Sequence, residues 1–399
     1  MKNILTLIFA FYAVLLSAQK FEGLALTPPM GWNSWNTFQT DINEQLVKDI
    51  ADAFVEKGLL DAGYQYLVLD DGWMARERDS LGYLVPDPAK FPNGIKAVVD
   101  YVHSRGLKFG LYNCAGWKTC AGYPGSRGYE FQDARTYASW GVDYLKYDWC
   151  NSNKLNAEGA YLTMRNALYE AGRPVVFSIC EWGENQHWLW AKDIGHLWRT
   201  TGDITACWDC EDTHGGVWSS WGVMRIVEMR AGIRKYAGPG HWNDPDMMEV
   251  GNGLTPGEDR AHFSLWCMLA APLIMGNDLR NATEHTLEVL TNKEAIAIDQ
   301  DPLGVQAFRY SSEDSLEVWV KPLQDSGWAV CFLNRNDAPF SFSFDWDEHA
   351  IRDEITGRVL DKSKRYRIWD VWKKEDIGTT GKKLKGEISA HDVLMLRLN

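Results

Sequence analysis

The segment YLKYD, residues 144–148, decides the fold of this 399-residue chain. A short, mostly apolar run predicts a buried β-strand. Because successive side chains of a strand point to opposite faces, Lys146 and Asp148 share a face. The strand ends on a carboxylate, and polar or aromatic residues follow several further apolar runs in the same way. This repetition predicts that the runs are strands of one parallel sheet.

Eight such runs alternate with segments of helical periodicity, which is the pattern of a parallel α/β protein. Eight strand–helix units close a barrel more readily than they form an open sheet, so residues 20–302 are predicted to form a (β/α)8 TIM barrel. The strand candidates are residues 24–35, 66–70, 108–112, 144–148, 175–180, 197–203, 240–247 and 272–276. The helical segments include residues 44–57, 94–105, 133–140, 157–171 and 217–234.

The pattern changes after Pro302 to alternating apolar and polar residues, which favours antiparallel strands. Residues 303–399 are therefore predicted to form a C-terminal antiparallel β-sandwich domain. This region lacks a group of convergent carboxylates, so its expected role is packing against the barrel, with sugar binding as the alternative. Its clearest strand candidates are residues 316–321, 328–334, 340–344 and 393–398.

Polar and aromatic residues gather at the ends of the barrel strands. In a barrel all carboxyl-terminal strand ends face one mouth, so these side chains are expected to converge there. They are Asn33, Trp35, Asp70, Asp71, Asn113, Asp148, Glu181, Trp182, Asp203, Asp244 and Asp246.

Two carboxylates at one mouth suit the hydrolysis of a glycosidic bond, which needs a nucleophile and a proton donor. Asp148 is the candidate nucleophile, and Lys146 on the same face would keep it ionised. Asp203 lies two strands further round the ring and is the candidate acid/base. The alternatives are a structural ion pair for Lys146 and Asp148 and a helix cap for Asp203.

The pair Asp70-Asp71 follows an apolar run and suits bidentate hydrogen bonds to sugar hydroxyls, with a calcium or magnesium site as the alternative. The spacing of Cys207 and Cys210 is that of a zinc ligand pair, but no second pair accompanies it. No metal and no cofactor are therefore expected, and the sequence contains no phosphate-binding or dinucleotide fingerprint.

Charge excludes several partners. The formal net charge of -13 and the pI near 5.2 disfavour nucleic acid and anionic membranes. The 20 Trp residues are compatible with sugar binding, because aromatic faces pack on the C–H faces of sugar rings, but they equally suit a protein core.

The first residues predict export. Residues 1–18 contain a basic start at Lys2, an apolar run and the small pair Ser17-Ala18, which is typical of a cleavable signal peptide; a retained anchor is the alternative. No later apolar run has the length of a membrane span. The expected location is secreted or periplasmic.

The same stretches, taken in order, resemble glycoside hydrolase family 27, and within it the α-galactosidases. The matching motifs span the whole barrel: PMGWNSW at 29–35, LDDGW at 69–73, GVDYLKYD at 141–148, CEWG at 180–183, RTTGD at 199–203 and WNDPDM at 242–247.

The resemblance implies a retaining, exo-acting hydrolase with Asp148 as nucleophile and Asp203 as acid/base. It places Trp35 and Tyr112 against the sugar ring, Asp70 and Asp71 on the distal hydroxyls, Lys146 and Arg199 beside the nucleophile, and Asp246 at the closed end of the pocket. The implied substrates are terminal α-D-galactosides of galacto-oligosaccharides, galactomannans or glycoconjugates.

Specificity is expected to depend on Glu181 and Trp182, which leave room for a 2-hydroxyl group but little for an acetamido group. A β-L-arabinopyranosidase or an α-N-acetylgalactosaminidase of the same family, and a non-catalytic sugar-binding protein, remain alternatives. The family also implies a disulfide between Cys120 and Cys150. A second disulfide of the family is expected to be absent, because Gly72 stands in place of its first Cys and the region near Thr40 has no Cys. Whether the chain forms a homo-oligomer is left open.

Overall fold

The computed structural model describes residues 20–229 and 232–399; the predicted signal peptide, residues 1–18, lies outside them. Eight parallel strands form the barrel sheet, in the ring order eighth, first, second and so on to the seventh. These strands are β1 (Met30–Asn33), β2 (Tyr66–Leu69), β3 (Lys108–Cys114), β4 (Tyr144–Asp148), β5 (Val176–Cys180), β6 (Leu197–Arg199), β9 (Trp242–Asp244) and β10 (Leu273–Met275).

The barrel is closed between its seventh and eighth strands by residues beyond the end of β9. Met248 forms a parallel bridge to Met275, and its N–H donates to the carbonyl of Ile274 at 2.7 Å. The predicted TIM barrel is thereby confirmed, with all eight strands where the apolar runs lie. The predicted strands 24–35, 197–203 and 240–247 are too long, because only residues 30–33, 197–199 and 242–244 pair.

Helices pack around the sheet with apolar residues on their inner faces. Several helices begin at capping residues. Asn43 accepts from the N–H of Leu46, and Thr255 and Glu258 form a capping box at the start of the helix Pro256–Met268. The helices are α1 (Trp35–Phe38), α2 (Glu44–Glu56), α3 (Leu59–Ala62), α4 (Gly94–Ser104), α5 (Glu130–Trp140), α6 (Ala157–Glu170), α7 (Val223–Glu228), α8 (Pro256–Met268), α9 (Glu284–Leu290) and α10 (Lys293–Asp299). Short 3-10 helices cover His187–Leu189, Ala191–Asp193, Arg234–Tyr236 and Leu279–Asn281.

The prediction of one helix over residues 217–234 is wrong for its first part. A β-hairpin of β7 (Glu211–His214) and β8 (Trp218–Trp221) precedes the short helix α7. Gly215 and Gly216 both have positive φ, which a tight hairpin turn requires, and they set the register that pairs His214 with Trp218. Turn chemistry therefore prevails here over helical periodicity.

Antiparallel strands follow the barrel, and most of their predicted bounds are confirmed. One sheet has six strands and a second sheet pairs two more across a core that contains Phe332, Phe344 and Trp346. The strands are β11 (Phe308–Glu313), β12 (Leu316–Pro322), β13 (Trp328–Asn334), β14 (Phe340–Phe344), β15 (Arg367–Asp370), β16 (Glu375–Thr379), β17 (Leu384–Ile388) and β18 (Val393–Leu398).

A buried lysine joins this domain to the barrel. Lys321 of β12 has no exposed surface, and its ammonium donates to the carbonyls of Ile298 (2.6 Å) and Cys267 (3.2 Å). Burial lowers the pKa of Lys321, whereas the nearby Asp299 opposes that shift. Within the described residues, no helix combines the length and the apolar character needed to cross a membrane.

Replacing this lysine tests the junction. Lys321→Ala leaves two buried carbonyls without their donor, so the free energy of unfolding should fall by about 3 kcal/mol, measured by urea denaturation. Lys373→Ala, which removes a lysine whose side chain is 68% exposed, should change it by about 0.5 kcal/mol or less. Equal effects of the two changes would contradict this view of the junction.

Candidate active site

Asp148 is a buried carboxylate with two fixed donors. It ends β4 at the barrel mouth and is 5% exposed. The hydroxyl of Tyr112 donates to its Oδ2 (2.9 Å), and the N–H of Trp149 donates to its Oδ1 (2.8 Å). Burial raises the pKa of Asp148 to about 6, against the opposing charge of Lys146 and these two donors. The group is therefore ionised at neutral pH and fixed in position.

Lys146 has Asp70, not Asp148, as its direct ion-pair partner. Its Nζ lies 2.8 Å from Oδ2 of Asp70, which also accepts from Nδ2 of Asn33 (2.7 Å). Burial opposes the charge on Lys146, but Asp70 and other anionic groups outweigh it, so the pKa of the lysine stays well above its usual value. The expected influence of Lys146 on Asp148 therefore acts through space rather than through a contact.

Asp71 has one oxygen held by the protein. Its Oδ2 accepts from the N–H of Ala121 (2.8 Å), whereas its Oδ1 is buried and has no hydrogen-bond partner among the described residues. Burial raises its pKa to about 6, although the bond from Ala121 opposes the shift. Asp71 is thus a buried acceptor with capacity for a further donor.

The loop that carries Ala121 is tethered beside Asp148. Cys120 and Cys150 form a disulfide with an S–S distance of 2.07 Å, which confirms the pairing implied by the family. The Tyr112 hydroxyl lies 3.2 Å from Cys120 Sγ. The two sulfurs and a carboxylate oxygen of Asp148 lie within 4.8 Å of one another, but sulfurs bonded to each other are not thiolate ligands for a metal.

Arg199 connects the ends of two strands, β6 and β9, on the other side of the mouth. Its Nη2 lies 3.0 Å from Oδ1 of Asp203 and 2.9 Å from Oδ2 of Asp246. The side chain of Arg199 is 3% exposed and that of Asp203 is 33% exposed. Asp203 therefore combines a fixed position with access to solvent, which a group that exchanges protons needs.

Asp246 is a buried carboxylate whose contacts are with the protein itself. Its Oδ2 accepts from the N–H of Ile204 (2.9 Å) as well as from Arg199, so it fixes the residue that follows Asp203. Burial raises the pKa of Asp246 to about 7, against the charge of Arg199. Its backbone has φ +87°, a strained conformation for a residue other than glycine that is typical of functional sites.

The segment after Asp203 is held by the hairpin. The N–H of Trp221 donates to the carbonyl of Asp203 (2.9 Å), and a Cβ placed on Gly202 would lie 2.2 Å from the ring of Trp221. Cys207 and Cys210, whose pairing the sequence left open, form a second disulfide at the base of the hairpin.

Two tryptophans lie at strand ends with partly exposed rings. The N–H of Trp35 donates to Oδ1 of Asn33 (2.8 Å), and Trp182 has positive φ. Glu181 differs from its expected role, because it is fully buried and both of its oxygens accept from its own loop, from Asn185 and from His187. A direct bond between this carboxylate and a sugar would need one of these contacts to break.

Cys180 belongs to the same site and was not among the predicted residues. It pairs in register with Asp148 across β4 and β5, and its Sγ lies 3.7 Å from Nη1 of Arg199. The two-residue periodicity of the strand from Ser178 is the signal that places it on the inner face. Its thiol is free and buried.

The predicted residues converge as the barrel geometry requires. A cavity of ≈ 20 Å³ lies between the barrel strands. Its lining includes Asn33, Lys146, Arg199 and Asp246, which come from four different strands or strand ends. Charged groups of both signs, Lys146 and Arg199 with Asp244 and Asp246, therefore line one concave space.

These features define a TIM-barrel hydrolase site with two differently placed carboxylates, and comparison with known proteins identifies its family. Residues 27–301 match the family model described as Alpha galactosidase A, and residues 313–398 match the Alpha galactosidase C-terminal beta sandwich domain. The chain belongs to the α-galactosidase family of glycoside hydrolases, family 27.

Individual relatives agree over nearly the full length. The chain is 55% identical to Alpha-galactosidase A of Cellvibrio japonicus, covering 97% of this chain and 95% of that protein. It is similar to the crystal structure of alpha-galactosidase I from Mortierella vinacea, with a TM-score of 0.88, 38% identity and coverage of 94% and 98%. A Saccharomyces cerevisiae alpha-galactosidase structure with raffinose has a TM-score of 0.87, 32% identity and coverage of 94% and 98%.

The donor from Tyr112 should set the acid side of the pH profile. Activity that needs ionised Asp148 is lost as pH falls through its pKa of about 6. Tyr112→Phe removes a bond to the charged form, so the acid limb of kcat/KM should move to higher pH by about one unit. Tyr101→Phe, a surface change, should leave the limb in place; an unmoved limb in Tyr112→Phe would show that Asp148 does not govern it.

Gly202 should be intolerant of any side chain. Gly202→Ala forces the Trp221 ring away and displaces Asp203, so kcat should fall by about 100-fold while the fold is retained, as judged by circular dichroism. The control is Gly159→Ala, in which the added methyl group meets only the side chain of Asn156. Comparable kcat values for both variants would contradict the role assigned to this contact.

Proposed function

We propose that the protein is a retaining exo-α-galactosidase, with Asp148 as nucleophile and Asp203 as acid/base. Its substrates would be terminal, non-reducing α-D-galactosides of galacto-oligosaccharides, galactomannans or glycoconjugates. The names of relatives support galactose as the sugar that is released. The Cellvibrio and Mortierella proteins are called α-galactosidases, and the yeast structure contains raffinose.

One contrast supports the roles most directly. Asp148 is buried, immobilised by Tyr112 and Trp149 and ionised at neutral pH, as a nucleophile must be. Asp203 is one-third exposed and is held only through Oδ1 by Arg199 among the described contacts of its carboxylate. A proton donor must exchange with water, so the more exposed carboxylate is the acid/base.

In the first step the Asp148 carboxylate attacks the anomeric carbon and forms an ester bond to the sugar. The glycosidic C–O bond breaks, its electron pair stays on the departing oxygen, and Asp203 transfers its proton to that oxygen. Lys146 and Arg199 stabilise the negative charge around the reacting centre throughout.

In the second step Asp203, now a carboxylate, takes a proton from water. The water oxygen attacks the anomeric carbon, the ester bond breaks, and Asp148 leaves as a carboxylate. Two displacements at one carbon restore the starting configuration, so the first product would be α-galactose.

The sugar would be gripped by groups with unused hydrogen-bonding capacity. Oδ1 of Asp71 and Nε of Arg199 are buried without partners among the described residues. Oδ1 of Asp71 could accept a hydrogen bond from a sugar hydroxyl, and Nε of Arg199 could donate one. Oδ2 of Asp70 already accepts from Asn33 and Lys146. Asp70 would therefore hold the lysine in position and add only one further contact, to a distal hydroxyl. Exo action, which the resemblance to the family implies, is part of the proposal.

Trp182 would discriminate between a hydroxyl and an acetamido group at the 2-position of the sugar, and Glu181 would hold Trp182 in place. The buried contacts of Glu181 with His187 and Asn185 hold the loop that carries Trp182, so Glu181 enters the proposal as a positioning residue. A bulky ring there disfavours an acetamido group. N-acetylgalactosaminidase and β-L-arabinopyranosidase activities, and sugar binding without catalysis, are the outcomes against which galactosidase activity is to be tested.

Export to a secreted or periplasmic location is part of the proposal. It is supported by the pattern of residues 1–18 and by the two disulfides, which persist in oxidising compartments.

Azide rescue distinguishes the two carboxylates. With p-nitrophenyl α-galactoside, Asp148→Ala should lack measurable hydrolysis, and azide should restore turnover to β-galactosyl azide because the anion replaces the nucleophile. Asp203→Ala should lose about 100- to 10,000-fold in kcat/KM on substrates with poor leaving groups, and azide should yield α-galactosyl azide. Proton NMR identifies each product.

Asp100→Ala, on an exposed surface of α4, serves as the matched control and should retain full activity. If Asp148→Ala gave α-galactosyl azide and Asp203→Ala gave β-galactosyl azide, the two carboxylates would have the opposite roles. Faster cleavage of the aryl β-L-arabinopyranoside or the aryl α-N-acetylgalactosaminide than of the galactoside would refute the proposed sugar, and absence of all cleavage would favour a binding protein.

A further inference from the structure

The β7–β8 hairpin lies on the catalytic side of the barrel. It is part of the loop that follows β6, and loops after barrel strands build the face that carries the active site. The hairpin begins only eight residues after Asp203. Its last residue, Trp221, is bonded to the backbone of Asp203 and pairs with Ile204. The hairpin is therefore continuous with the acid/base itself.

The base of the hairpin is braced from two sides. The disulfide of Cys207 and Cys210 closes the turn before β7, and Gly222 donates to the carbonyl of Cys210 (2.9 Å). Trp208, between the two cysteines, stacks on His391 of the C-terminal domain with ring centroids 4.8 Å apart. The hairpin thus projects from a fixed base.

The tip of the hairpin presents an ordered aromatic pair. The rings of His214 and Trp218 are stacked, with centroids 3.7 Å apart and an interplanar angle of 15°. Nε2 of His214 lies 2.9 Å from the hydroxyl of Ser220, which orients the imidazole. Trp218 is nevertheless 46% exposed, so one indole surface remains accessible.

We propose that this pair, Trp218 supported by His214, is a binding platform for the leaving-group portion of an oligosaccharide or polysaccharide substrate. The inference rests on the proposed function and extends it from the terminal sugar to the chain that carries it. The flat indole face suits the C–H face of a sugar ring, while its edge and the nearby polar groups suit hydroxyls.

Spacing supports this assignment. Trp218 is three residues from Trp221 along an antiparallel strand, which corresponds to about 10 Å. An oligosaccharide leaving group that starts beside Asp203 is long enough to span that distance, but a single aryl ring is not. The carboxylates of Glu211 and Asp212 on the same hairpin, and the net charge of -13, favour a neutral chain over an anionic one.

Two substrates that share the terminal galactose test the proposal. With a galactose-substituted manno-oligosaccharide, Trp218→Ala should lower kcat/KM about five- to tenfold, and Trp218→Phe should recover most of the loss. With p-nitrophenyl α-galactoside, whose leaving group ends short of the platform, kcat/KM should change by less than about twofold. Tyr169→Ala controls for loss of an exposed aromatic ring; this residue packs on Phe21 at the opposite end of the barrel.

Each result has one meaning. Equal kcat/KM for wild type and Trp218→Ala on both substrates would overturn the platform, and so would an equal loss on both, which would make the residue structural. Failure of the wild-type protein to cleave the aryl galactoside would instead refute the proposed function on which the platform rests.

Discussion

The rest of the site depends on two buried cations, Lys146 and Arg199. Each is held between strands by carboxylates: Lys146 by Asp70, and Arg199 by Asp203 and Asp246. A buried charge is tolerated only when it is paired, so these contacts also fix the strand ends that carry the reacting groups. Without Lys146, only the donors Tyr112 and Trp149 would oppose the effect of burial on Asp148, and the pKa of Asp148 would rise further into the neutral range.

The barrel and most of the antiparallel strands could be predicted from the sequence, because both depend on local patterns. Residues 144–148 and 328–334 carry their apolar periodicity in full, and the structure has the strands at those residues. The hairpin at residues 211–221 could not be predicted in the same way. Its apolar spacing resembles a helix, and its conformation depends on a two-glycine turn and on pairing between strands.

The candidate site was predictable as a set of residues but not as a set of contacts. Strand ends and motif resemblance brought together the correct face of the barrel. They did not reveal that Lys146 pairs with Asp70, that Glu181 bonds within its own loop, or that Cys180 lies beside Arg199. Lys146 and Asp70 are 76 positions apart and Cys180 and Arg199 are 19 apart, so only the closed barrel determines that they meet. The contacts of Glu181 depend instead on the conformation of its own loop.

The central claim is that Asp148 forms a covalent bond to the sugar. It is tested most directly by incubating the wild-type protein with a fluorinated α-galactosyl fluoride that forms the glycosyl-enzyme quickly and hydrolyses slowly, followed by peptide mass spectrometry. The account predicts one added fluorogalactosyl group, on the peptide and the side chain of Asp148. A label on Asp203 or Asp246, or turnover with inversion and no label on any carboxylate, would contradict it.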